Sequence, residues 1–240
     1  MKAVLAPNHI QSRLHTEDTD GARLRRFVAV LERLGINPVF PSREALPDAL
    51  SGADLLVAPT RDNPYETEEL DILSGFVKSG GSFLHLSNHK PYPLEDSKLA
   101  AYFGYTFLSE MYWARQRPTL MRVPLLAPAV EALGLRCQPD LSFAVNNCCR
   151  VEPNDGSEAT AIATLGPDAV DTETQEPAEG HIFAIAKPAC PAHGAIVAVA
   201  DSGIIGEPYQ SYPGPGLSKG DNEEIIAALV RWLVDARRGS

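Results

Sequence analysis

Gly80-Gly81-Ser82-Phe83-Leu84-His85-Leu86-Ser87-Asn88-His89 is the stretch whose reading decides the fold. Upstream of it, Leu70, Leu73, Phe76 and Val77 recur at helical spacing and predict a helix from Glu66 to Ser79, halted by the paired glycines. The short apolar run from Ser82 to Leu86 reads as a strand buried on both faces. It then breaks off into Ser87, Asn88 and His89. In an open α/β sheet, polar groups just past a strand's carboxyl end line the crevice where ligands bind. The same ten residues thus name a fold class and the place to look for chemistry.

Working outward toward the start, Lys2 to Ala6, Asn37 to Phe40 and Asp54 to Ala58 read as three further strands. Between them lie a helix from Gly21 to Leu34, capped by Asp20 and stopped by Gly35, and a short helical turn from Ala45 to Leu50. The polar segment Pro7 to Asp20 is longer than most strand-to-helix loops, and such loops are usually functional or disordered. Strands alternating with helices on short connections predict a parallel sheet covered on both faces. Toward the end, Asp96 to Phe103 reads as a helix and Pro128 to Leu133 as a helical turn. Thr119 to Val123, Ser142 to Val151, Ala159 to Thr164 and His181 to Lys187 have strand character, which adds a mixed or antiparallel section. Gly166 to Gly180 is acidic, with Pro and Thr, and reads as an exposed loop. Ala195 to Ala200 is a buried strand ending in Asp201-Ser202-Gly203. A Gly/Pro/Tyr-rich loop then leads to Asp221, the cap of a helix bearing Ile225, Ile226, Leu229, Trp232 and Leu233. No repeat or linker interrupts the chain, so a single domain over residues 1–240 is expected.

Composition narrows the partners. Of 240 residues, 44% are hydrophobic and 22% charged, as in ordinary soluble domains. Thirty-one acidic against 21 basic side chains give a net charge of -10, which argues against nonspecific binding to nucleic acid, whose phosphates need a basic footprint, so no nucleic-acid partner is expected. No apolar run has the length of a membrane span, and Met1 to Ala6 is too short for a secretory h-region, so a cytoplasmic protein is expected. Cys137, Cys148, Cys149 and Cys190 form no CxxC pair and are expected to be reduced, mostly buried, small hydrophobes. Cys148 and Cys149, adjacent on a strand, face opposite ways, so at most one enters a site.

Three pieces together resemble the class I glutamine-amidotransferase-like superfamily. They are Ala53 to Thr60 with the helix and Gly80-Gly81 strand after it, Gly194 to Ser202, and Asp221-Asn222 opening a helix through Arg231-Trp232-Leu233. The resemblance implies a flavodoxin-like α/β three-layer sandwich with a central, mostly parallel sheet and an added mixed or antiparallel β section. It is narrower toward the branch lacking the catalytic Cys-His-Glu triad, which includes the amino-terminal domain of an intraflagellar-transport protein. Catalytic members carry a cysteine in a Gly-x-Cys-x-Gly-like elbow after the central strand and a late His-x-Glu pair. Here that elbow position reads Leu86-Ser87-Asn88-His89, and His-x-Glu occurs only at His15 to Glu17. Glutaminase activity is therefore not expected.

Two functions follow as expectations. One is a non-catalytic domain that binds a small molecule or protein partner at the carboxyl ends of the strands. The other is a small-molecule hydrolase or amidase in which Ser87 is the nucleophile with His89 or His9 as base and Asp201 nearby. Against catalysis, Ser87 and Asn88 commonly do no more than cap a turn. His9, His15 and His89 are the residues from which a divalent metal site can be drawn, with Asp18 and His85 as lesser members. His85, inside its strand, reads better as a hydrogen-bonded core histidine. Asn8, Thr60, Arg61, Asn88, Ser202, Tyr209, Asp221 and Asn222 are candidate ligand contacts. For Asp221 helix capping is a full alternative, and for Arg61 a surface ion pair is. Tyr92, Tyr112, Trp113, Tyr209 and Tyr212 suit a small-molecule pocket wall or contact with a second copy in a homodimer.

Overall fold

The computed structural model describes residues 1–7, 24–61, 63–116, 120–135, 140–206 and 216–238. In chain order, β1 (Lys2–Leu5) precedes α1 (Arg25–Arg33), β2 (Asn37–Val39), α2 (Leu46–Leu50), β3 (Leu55–Ala58), α3 (Thr67–Lys78) and β4 (Ser82–Leu86). Next come α4 (Pro93–Ala100), a 3-10 turn at Ala101–Phe103, β5 (Tyr105–Ala114), β6 (Met121–Pro124) and α5 (Ala127–Ala132). The remainder is β7 (Ser142–Val145), β8 (Asn147–Pro153), β9 (Thr160–Thr164), β10 (Ala169–Asp171), β11 (Ile182–Lys187), β12 (Ile196–Val199), a 3-10 turn at Ser202–Ile205 and α6 (Asn222–Arg238).

Seven strands form the central sheet in the order β2-β1-β3-β4-β12-β11-β9. Every pairing from β2 to β12 is parallel, and β11 runs antiparallel between β12 and β9. The mostly parallel sheet expected from the alternation of strands and helices, and the flavodoxin-like α/β class implied by the resemblance, are what is observed. β1, β3, β4 and β12 are buried almost throughout, as strands covered on both faces must be.

Alternation along β4 defines the two layers around the sheet. Ser82 faces α6 and donates its hydroxyl to the Leu233 carbonyl at 2.6 Å. Phe83, His85 and Ser87 face the other way: His85 meets Tyr105 of β5 and Ser87 meets Asp96 of α4. Gly194 lets β12 begin tight against β4. A Cβ there would stand 2.2 Å from the Gly81 carbonyl oxygen, and the Gly194 amide donates to Val77 at 2.9 Å.

The added section is a three-stranded sheet, β10-β5-β8, and a two-stranded one, β6-β7. β5 is the longest strand, and its pairing with β8 shifts register between Leu108 and Tyr112. The stretch from Gly166 to Gly180, expected to be an exposed loop, instead contains β10. Ala169 and Val170 supply enough apolar surface to be buried, and the backbone of β10 pairs along β5 with Asp171 opposite Tyr112. Lys90, just past β4, pairs with Glu173 in the turn that follows, so this acidic segment lies beside the end of the central strand. Cys148 and Cys149 are both buried and free, and Cys190 is free and half-buried. Cys137 lies outside the described residues.

Candidate functional site

Just past the carboxyl end of β4, Ser87 donates its hydroxyl to Asp96 Oδ2 at 2.7 Å. Thr60, past the end of β3, donates to the same oxygen at 2.7 Å. All three side chains are 0% exposed. The first turn of α4 carries Asp96 under the sheet, Pro93 standing at the helix start where a missing amide proton costs nothing. Burial pushes the Asp96 carboxyl up to about 7, against the hydroxyl bonds from Thr60 and Ser87, which favour the charged form. The Cys149 thiol lies against Ser87 and points to the Ala200 carbonyl at 3.5 Å. Burial raises the Cys149 pKa well above the ordinary thiol range, so it stays a neutral thiol.

A step further out, Asn88 donates to Ser202 Oγ at 3.3 Å and accepts the His89 amide at 2.8 Å. His89 is half-buried, its Nδ1 set against the Lys90 carbonyl at 2.8 Å and its ring edge-on to Tyr92. Burial lowers the His89 pKa. Asp201 caps the 3-10 turn, its Oδ1 accepting the Gly203 amide at 2.7 Å, while its buried Oδ2 has no hydrogen-bond partner. Burial pushes Asp201 up to about 7. His85 is the core histidine the sequence suggests: Nδ1 lies 2.8 Å from the Tyr105 hydroxyl, and burial drives its pKa down to about 3.

The structure thus brings Thr60 and Ser87 together through Asp96, and Asn88 together with Ser202, all at the carboxyl ends of adjacent strands. Neither His85 nor His89 bonds Ser87; each has its Nδ1 engaged elsewhere. His9, His15, Asn8, Tyr209 and Tyr212 lie outside the described residues. Among the described residues, no three His, Cys, Asp or Glu side chains group closely enough to hold a metal ion.

Arg61 differs from both expectations. Instead of a ligand contact or a surface ion pair, its guanidinium is buried 2.7 Å from Glu69 Oε1, donates to the Asn63 and Pro64 carbonyls and lies over the Tyr65 ring. With its donors turned onto the chain's own turn after β3, it holds that turn in place. Asp221 and Asn222 act across the fold. Asp221 Oδ2 accepts the Ser142 amide at 3.1 Å, and Asn222 accepts the Ala144 amide at 2.8 Å. Asn222 also donates to the carbonyls of Ala144 and Gly216, both at 3.0 Å. The pair occupies the free edge of β7 as a strand would, which takes Asn222 out of the candidate ligand contacts.

Asp96 is a strand-end partner that sequence reading misses. It sits beside Glu95 in the first turn of a helix, where acidic residues are common for the sake of the helix dipole. Only the return of α4 to the end of β4 shows that it serves Ser87.

No protein-family profile matches this chain, and no curated protein sequence matches it. Solved structures do resemble it in fold. The mmIFT52 N-terminal domain superposes with a TM-score of 0.74 at 13% identity, over 97% of each chain. A ThuA-like protein from Bacteroides uniformis gives a TM-score of 0.57 at 11% identity, over 97% of this chain and 91% of that one. A candidate GMP synthase component from Thermoplasma acidophilum gives 0.54 at 13% identity, over 100% and 94%. These likenesses, at 11–13% identity, show the fold alone: a flavodoxin-like α/β sandwich.

Proposed function

We propose that this chain is a non-catalytic glutamine-amidotransferase-like domain that binds a small molecule or a protein partner at the carboxyl ends of its sheet strands. One observation carries the reading. Ser87, at the position where the resemblance puts a nucleophile, is sealed and spends its proton on Asp96 at 2.7 Å, with neither His85 nor His89 bonded to it. A serine becomes a strong nucleophile only when a base can take its proton and a substrate can reach it, and Ser87, Asp96 and Thr60 are bonded to one another with all three fully buried. The half-buried groups further out, Asn88, His89 and Lys90, offer binding contacts instead.

The test is a thermal-shift screen of the purified protein against amino acids, nucleotides, sugars and divalent metals, with His89→Ala alongside. A ligand at about 100 times its Kd adds roughly 2.7 kcal/mol to the native state. The expected result is a raised midpoint with one class of compound that disappears in His89→Ala. Ester or amide hydrolysis that is lost in Ser87→Ala would overturn the reading. It would install the alternative, a hydrolase or amidase built on Ser87, His89, His9 and Asp201, which draws its support from the Asp201 carboxyl held near 7 with Oδ2 unpaired.

A further inference from the structure

A second polar chain leads from the three-stranded sheet to the end of the main one, separate from the Ser87–Asp96–Thr60 cluster. Tyr112 of β5 is buried, and its hydroxyl donates to Glu110 Oε2. Glu110 is itself held by Arg150 of β8, whose Nη2 lies 3.1 Å from Oε1. A carboxylate facing a guanidinium is an acceptor only, so the single phenolic proton is committed to Glu110. Burial and the Glu110 bond both raise the Tyr112 pKa, which keeps that proton in place.

On the other side of the same hydroxyl stands His181 Nδ1, at 3.1 Å, with the two rings edge to face and their centroids 5.3 Å apart. Since the phenolic proton is spent, this contact is a hydrogen bond only if Nδ1 carries a hydrogen and the phenolic oxygen accepts it. The neutral imidazole is thereby fixed as the Nδ1–H tautomer, leaving a lone pair on Nε2. No described residue bonds Nε2.

Register places this histidine. β11 pairs antiparallel with β12, Ala184 opposite Val199, and the Ala200 amide donates to the Phe183 carbonyl at 2.9 Å. Because the two strands run opposite ways, His181, just before β11 begins, stands beside the carboxyl end of β12, where the chain passes into the 3-10 turn at Ser202. His181 is half-buried and stands at the same end of the sheet as Ser87, Asn88 and Asp201.

We infer that His181 is the proton-accepting residue of the strand-end crevice, its Nε2 lone pair kept available by the Tyr112–Glu110–Arg150 chain for a ligand bearing a hydroxyl or amine hydrogen. The ligand half of this inference rests on the binding reading above; the tautomer does not.

Long-range nitrogen–proton correlation spectra of the ligand-free, histidine-labelled protein read the tautomer. In the neutral ring, His181 is expected to carry its proton on Nδ1, and Tyr112→Phe, which keeps the ring but removes the oxygen, is expected to move it to Nε2. A bare Nδ1 in the wild type, or the same tautomer in both proteins, overturns the inference. Diethyl pyrocarbonate tests the lone pair chemically. Nε2 attacks a carbonyl carbon, a C–N bond forms, and ethyl carbonate leaves with its electron pair, taking up a proton to give carbon dioxide and ethanol. Peptide mapping is expected to show His181 modified severalfold faster in the wild type than in Tyr112→Phe, and equal rates overturn the inference. Failure of the thermal-shift screen would remove the binding reading and leave the tautomer standing. A ligand shift lost in His89→Ala, with His181 in the opposite tautomer, would do the reverse.

Discussion

Two carboxyls, Asp96 and Asp201, keep their protons to about 7 where an ordinary aspartate releases them near 3.8. The folded chain therefore holds protons that the unfolded chain has already lost. Their contribution to stability is complete below about pH 4 and is withdrawn as pH rises to 7. Each carboxyl withdraws at most about 1.4 kcal/mol per pH unit across that window. Urea midpoints measured from pH 5 to pH 8 are expected to fall with pH in the wild type and to fall less steeply in Asp96→Asn, whose amide oxygen still accepts from Thr60 and Ser87. Parallel profiles would show that burial does not hold this proton. Ser87 is legible as a polar residue past a strand end because an apolar run stops abruptly before it. Asp96 and His181 are not, for their partners arrive through tertiary structure: Ser87 and Thr60 from neighbouring strands, and Tyr112 from a strand far upstream. Arg61 misleads for the same reason, since only the return of α3 brings Glu69 against it.

The elements most readable in the sequence are those whose apolar runs are buried on both faces, β1, β3, β4 and β12, together with α3 and α6. β5 is not legible, because a strand that changes register part-way loses the strict alternation by which strands are recognised. β10 is hidden in an acidic stretch because three residues of backbone pairing need little apolar content. Two predictions belong to this scale. Gly194→Ala forces a methyl group toward the Gly81 carbonyl, and neither backbone can yield cheaply. It is expected to cost about 1–3 kcal/mol in urea denaturation, and an unchanged midpoint would mean that β12 can draw away from β4. Asn222→Leu strips the Ala144 amide and carbonyl of their partners. At about 1–3 kcal/mol per buried group left unpaired, it should lower the midpoint clearly, with Asn222→Asp, which keeps the acceptor only, falling between.

At the scale of the whole molecule, the three-stranded sheet is fastened to the central one from within. The Cys149 amide donates to the Ala200 carbonyl at 3.1 Å, His85 meets Tyr105, and Lys187 donates to the Phe103 carbonyl. Layers joined through buried hydrogen bonds are expected to unfold together. The two tryptophans stand on opposite layers, Trp113 on β5 and Trp232 on α6. Fluorescence from Trp113 in a Trp232→Phe variant is therefore predicted to trace the same urea transition as far-ultraviolet circular dichroism. An earlier loss of the Trp113 signal would mark the added section as a separate folding unit.

The placement of Asp221 and Asn222 along β7 has a bearing on solubility. An unpaired strand edge is a template on which another chain can add a strand, and proteins usually blunt such edges with charge, proline or a covering segment. Here two side chains at the head of a helix take up the hydrogen bonds that an incoming backbone would seek. Replacing them would leave more than a weaker helix start: it would expose a sticky border, and the damaged protein would be lost to aggregation at concentrations where the intact one stays dispersed.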